Sequence, residues 1–144
     1  MRIRYLFPLA LVLLLPLLVA TPAQSLQQPT VIAYHVNSHR AGYHHLPRLR
    51  WDNGLALEAC RHARAMAAAG RIFHRAIRTS RRWSWLGQNV GYTTASDLGS
   101  LFYAYHASPG HRAVLQSRYA SSQGDCAVRN HGRWYHVHDF ARFV

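Results

Sequence analysis

The chain has 144 residues, with 17 arginines, no lysine and five acids (Asp52, Glu58, Asp97, Asp125 and Asp139), for a formal net charge of +12. Such a length suits one domain with one core and leaves no room for a second. The charge predicts contact with anionic surfaces, the alternative being a solvated basic face that serves solubility.

At the N-terminus, Arg2 and Arg4 precede an almost wholly apolar run from Tyr5 to Val19, and the small residues Ala20, Thr21 and Ala23 follow. This order describes a secretory signal peptide over residues 1–23, cleaved after Ala23, with Ala20 as the second site. The apolar run of about 15 residues falls short of the roughly 20 that span a bilayer, although an uncleaved anchor is the rival reading. No second segment is long and apolar enough to span, so the rest is expected outside the cytoplasm, secreted or periplasmic. Cleavage leaves 144 − 23 = 121 residues with a net charge of 15 − 5 = +10. The expected partner is therefore an anionic cell-envelope surface, with no nucleic acid expected.

Residues 24–30 carry Gln and Pro and read as a linker. A helix is expected from Thr30 to Arg40, with Val31, Tyr34 and Asn37 or Ser38 on one face and Gly42 as the stop. The second helix starts at the N-cap Asp52 and closes at Gly70. Leu55, Ala59, His62, Ala63 and Met66 form its apolar stripe, and Glu58, Arg61 and Arg64 its wet face. Between Gly70 and Trp83, the residues Arg71, Arg75, Arg78, Arg81 and Arg82 concentrate charge and are the expected anionic-surface contact. A third helix covers Asp97–Ala107, with Leu98, Leu101, Phe102 and Tyr105 on one side. Ser108 caps a short fourth helix with Pro109 at its first position, and Leu115 and Gln116 end it. In the tail, Cys126, Val128 and then Trp134–Phe140 alternate as strands about a turn at Asn130-His131-Gly132. Helices first and strands last indicate an α+β domain. The two cysteines, Cys60 and Cys126, are expected to pair outside the cytoplasm, with two separate buried thiols as the alternative.

Five stretches, taken in order, resemble the CAP family (cysteine-rich secretory proteins, antigen 5 and pathogenesis-related proteins), in particular its short bacterial members. They are Asn37-x-x-Arg40; Leu49-x-Trp51-Asp52-x-x-Leu55; Ala63-x-x-Met66 with Phe73-His74; Gly87-Gln88-Asn89-Val90-Gly91; and Ser108-Pro109-Gly110-His111-Arg112. Each is weak alone; their order and spacing over residues 31–144 are specific. The resemblance implies a three-layer α-β-α sandwich with a mainly antiparallel sheet. It also implies a cleft lined by histidines and acids that holds a divalent metal in some members. His74 matches the first cleft histidine and His111 that of the Ser-Pro-Gly-His-Arg motif. Gln88 stands where the family has glutamate; Asn89 follows it, and His138, at a position where the family tends to have glutamine, borders the cleft.

The residues themselves support part of that reading. His111, in the first turn of a helix, is expected neutral, with a lone pair free for a metal or a proton. His74 and His111 are thus the candidate metal ligands and zinc the candidate cofactor, although zinc wants three or four protein ligands. Gln88 cannot serve as a general base. His44, His45, His62 and His106 read as surface or packed side chains. His136 and His138 share a strand face, where they are either a chelating pair or two exposed histidines. Hydrolase signatures such as Gly-x-Ser-x-Gly and His-Glu-x-x-His are missing from the sequence. The expected function is a non-catalytic extracellular binding module for an anionic envelope surface or a small apolar ligand. The alternatives are a metal-assisted hydrolase using His74 and His111, and a basic membrane-active protein.

Overall fold

Asp52 has extended backbone and its carboxylate accepts from the Leu55 N–H, so helix α2 (Asn53–Ala69) begins there. It ends at Gly70, whose φ of 65° is the left-handed conformation that glycine adopts without cost. The computed structural model describes residues 27–144, so the expected signal segment and its cleavage site lie outside the described residues. The other elements are α1 (Val31–Tyr43), β1 (Arg50–Trp51), β2 (Trp83–Thr93), α3 (Ser100–Ala107), α4 (Pro109–Leu115), β3 (Ser122–Asn130) and β4 (Arg133–Phe143). β3 and β4 form a hairpin through His131 and Gly132, which both have positive φ, as a two-residue primed turn requires.

The sheet runs β1-β3-β4-β2, with β1 parallel to β3 and the other pairs antiparallel. Helix α2 covers one face against Val90, Tyr135 and Val137. Helices α1, α3 and α4 cover the other, where Ile32, Val36, Phe102, Tyr105, Leu115 and Phe140 pack together. The architecture is the α-β-α sandwich with a mainly antiparallel sheet that the resemblance implies. Cys60 on α2 and Cys126 on β3 are joined by a disulfide, with 4.9 Å between their Cα atoms. The sequence separation of 66 corresponds to a restriction of the unfolded chain of about 4 kcal/mol. Among the described residues no helix is long and apolar enough to cross a membrane.

Several sequence expectations are corrected. The buried face of α1 is Ile32, Ala33, Val36 and Arg40, whereas Val31 and Tyr34 are 42% and 63% exposed. Gly42 lies inside α1, whose C-cap is His44. Arg40 can be buried because main-chain carbonyls of Pro47, Leu115 and Ser117 accept from its guanidinium. Glu58 is not on a wet face: it is 1% exposed and paired with Arg75 at 3.0 Å. His136 and His138 are fully buried, because the sheet has a helical layer on the face they share as well as on the opposite one. Residues 27–30 are tied to the domain: the Trp51 indole donates to the Gln27 carbonyl, and Thr30 donates to Asp125 through its N–H and hydroxyl.

Candidate functional site

β2 lies at an edge of the sheet, and its alternating side chains bring different residues to its two faces. Gln88 points towards α2, beside its register partner Asp139 on β4. Its Nε2 donates to Asp139 Oδ1 at 2.8 Å, and its Oε1 accepts from the Arg75 N–H at 3.3 Å. Oε1 is therefore an acceptor, and His74 Nδ1, 3.0 Å away, carries the hydrogen that it donates to Gln88. A neutral His74 keeps its lone pair on Nε2.

Two acids lie beneath this exposed histidine, Asp139 and Glu58, both buried. Burial pushes the Asp139 carboxyl up to about 7; Glu58 adds to the rise, while the Gln88 hydrogen bond and Arg75 act against it. Sequence reading found neither acid as part of the site. The Gln88–Asp139 pairing follows from strand register, and Glu58 meets Arg75 across 17 residues of chain. A groove of about 400 Å³ opens beside His74, walled by Arg75, Ile77, Trp83, Leu86 and Gln88.

His111 is reached from the other face of β2. Asn89, fully buried, donates through Nδ2 to the His111 carbonyl at 3.2 Å. The His111 ring packs on Tyr105, and its Nδ1 lies 3.0 Å from Ser108 Oγ. Ser108 occupies the N-cap position of α4, but its hydroxyl meets this imidazole and no helix N–H, which corrects the expected side-chain cap. His111 titrates below its ordinary value, first through burial and then through repulsion from His74, with the Val90 carbonyl acting the other way. The two histidines thus sense each other, yet His111 is absent from the walls of the His74 groove. His138 is sealed inside, bonded to Gln123 at 3.0 Å and stacked on Phe140.

Gln88 adds no third donor to His74 and His111 for a metal. Gln88 is engaged on both ends, and His74 and His111 belong to neither set of three close ligand groups found among the described residues. One of those sets is Asp125, His136 and His138, all buried. His136 lies 3.1 Å from both Asp125 and the Tyr105 hydroxyl. The other is His39, His44 and His106.

The arginine segment is partly neutralised. Arg75 pairs with Glu58, Arg81 pairs with Asp52 at 2.6 Å and stacks over Phe143, and Arg71 lies over Phe73. Among the described residues Arg78 and Arg82 have no ion pair. A groove of about 580 Å³ runs between this segment and α2, lined by Asp52, Arg61, Arg78, Thr79, Ser80 and Arg81 among others.

Three solved structures share this fold. An outer surface protein from Borrelia burgdorferi matches with a TM-score of 0.70 and 15% identity, over 79% of this chain and 91% of its own. An extracellular SCP-domain protein from Bacillus anthracis matches with a TM-score of 0.64 and 21% identity, over 77% of this chain. A cysteine-rich secretory protein from Staphylococcus aureus matches with a TM-score of 0.58 and 17% identity, also over 77%. The chain spans 39% and 36% of the latter two proteins. No curated protein sequence matches it at a significant level. The family model for cysteine-rich secretory proteins, CAP, matches residues 33–140, and the chain belongs to that family.

Proposed function

We propose that this is an exported, non-catalytic binding module that docks on an anionic polymer of the cell envelope through the groove beside its arginine segment. The observation that carries the reading is the composition of that groove. It gathers the guanidinium groups of Arg61, Arg78 and Arg81 with the hydroxyls of Thr79 and Ser80, against one acid, Asp52, that Arg81 already neutralises. Guanidinium forks match phosphate and carboxylate oxygens. Export is supported by the signal-like N-terminus and by neighbours that are outer-surface, extracellular and secretory proteins. A non-catalytic role is supported by the uncharged Gln88 beside His74, and by the burial of Glu58 and Asp139 where substrate cannot touch them. A small apolar ligand is the second reading, favoured by the Ile77, Trp83 and Leu86 walls of the His74 groove.

Binding of the purified protein to phosphate-rich polymer and to anionic vesicles, across a salt series, tests the proposal. Affinity is expected to fall steeply with salt. The triple variant Arg61→Gln, Arg78→Gln, Arg81→Gln is expected to lose at least about tenfold, since each contact is a charge-assisted hydrogen bond. Binding that ignores salt, or survives in the triple variant, overturns the reading. Binding that follows Trp83→Ala instead favours the apolar ligand.

A further inference from the structure

Three imidazoles converge away from the grooves described above. His39 lies in the last turns of α1, His44 is the C-cap of the same helix, and His106 is in the last turn of α3. One nitrogen from each lies within 4.8 Å of the other two. The His39 and His106 rings are 5.1 Å apart, and those of His44 and His106 6.2 Å. From these observations we infer that His39, His44 and His106 form a site for one divalent transition-metal ion of the zinc type.

Gln116, the C-cap of α4, shows where the lone pairs point. Its Nε2 lies 2.9 Å from His44 Nε2 and 3.4 Å from His106 Nε2. An amide NH₂ only donates, so both imidazoles are acceptors at Nε2, the form that ligates a metal. The third ring keeps an open valence as well: His39 Nδ1 is buried without a hydrogen-bond partner. The space among Val36, Arg40, Phe102, Leu115, these three histidines and Gln116 is about 10 Å³, room for one atom-sized occupant. Ligand nitrogens around a tetrahedral zinc stand about 3.3 Å apart, given bonds of roughly 2.0–2.1 Å. Small rotations of the surface side chain His44, together with withdrawal of the Gln116 amide, close the remaining distance. A half-turn of that amide offers Oε1 as a fourth ligand.

The surroundings decide the class of ion. The C-termini of α1, α3 and α4 meet here, and their partial negative charge welcomes a cation. Arg40 exploits the same pole, with its guanidinium on the Leu115 and Ser117 carbonyls, and its charge opposes any second cation. An ion held by charge alone, such as magnesium or calcium, loses that contest. Zinc, copper and nickel, which bond strongly to imidazole nitrogen, do not.

Calorimetric titration of the metal-stripped protein with zinc, with cobalt absorption as a second readout, tests the site. One ion per chain and tetrahedral cobalt bands are expected. His44→Gln and His106→Gln should each weaken zinc binding at least about tenfold and remove the cobalt bands. His44 is a surface residue, so its variant should unfold at the wild-type temperature without metal. The control His74→Gln, His111→Gln should bind as wild type does. No saturable binding, binding that persists in the His44→Gln, His106→Gln double variant, or binding lost in the control each overturns the site.

Discussion

The two faces of the sheet bury polar groups in opposite ways. On the α2 face, Asp139 and Glu58 lie under a chain of partners that ends at the surface, through Gln88 to exposed His74 and through Arg75 to the arginine segment. On the other face, Tyr105, His136 and Asp125 form a closed set that ends at Thr30, with His138, bonded to Gln123, packed edge-on against His136. Both faces desolvate a carboxyl group, but only the second gives it enough hydrogen bonds to stay charged. Burial alone would raise Asp125; the His136 hydrogen bond, His138 and Thr30 reverse that and bring it down to about 2. Asp139 rises to about 7 for want of such support. A polar chain with an open end is available for recognition, whereas a closed set holds layers together.

The sharpest way to break this contrast is Asp125→Ala. It leaves His136 and Thr30 without their partner inside the core, and is expected to cost about 3–5 kcal/mol, as measured by denaturant unfolding. A loss below about 1 kcal/mol would show that the closed set does not hold the layers.

Titration gives a second, signed test. His138 is held down to about 3 by burial, so below pH 6.5 the unfolded chain takes up a proton that the folded chain refuses, and stability falls as pH falls. Asp139 behaves oppositely: its folded carboxyl keeps a proton between pH 3.8 and about 7 that the unfolded chain releases, so stability falls as pH rises. Each proton contributes a slope of about 1.4 kcal/mol per pH unit, and between pH 4 and 6.5 the two cancel. Relative to wild type, His138→Gln should add a slope that falls with pH and Asp139→Asn one that rises. Urea unfolding across that range checks both; slopes of the same sign would refute the contrast. The smallest effect is expected from Arg61→Ala. This side chain is 63% exposed and 3.5 Å from Glu58, so its loss should cost under about 1 kcal/mol in the same measurement.

Much of the fold was legible because its signals are local. Asp52 and Gly70 bound α2, His131-Gly132 bounds the hairpin, and Pro109 opens α4. β2 was not, because Gly87 and Gly91 interrupt its pattern. A Cβ at Gly91 would meet the Tyr105 hydroxyl at 2.9 Å, and one at Gly87 would meet Trp85 and Val114, so these glycines serve close packing. Glu58 sits on the apolar stripe by spacing, three residues after Leu55 and four before His62. Its charge argued for solvent, and its partner Arg75 lies in a segment without periodicity. Strand alternation likewise grouped His136 with His138 but carried no information about what covers them. Of the site, His74 and Gln88 do meet; the acids under them come from register and tertiary contact, which no local pattern encodes.

The Cys60–Cys126 bond has a consequence for resistance to proteolysis. The exposed arginines 71, 78, 81 and 82 are natural cutting points for proteases that cleave after basic residues, and all of them lie within the loop that this bond closes. A cut there severs the chain without separating its parts. The N-terminal fragment, with α1 and α2, stays covalently attached to the strands it packs against, and only reduction releases it.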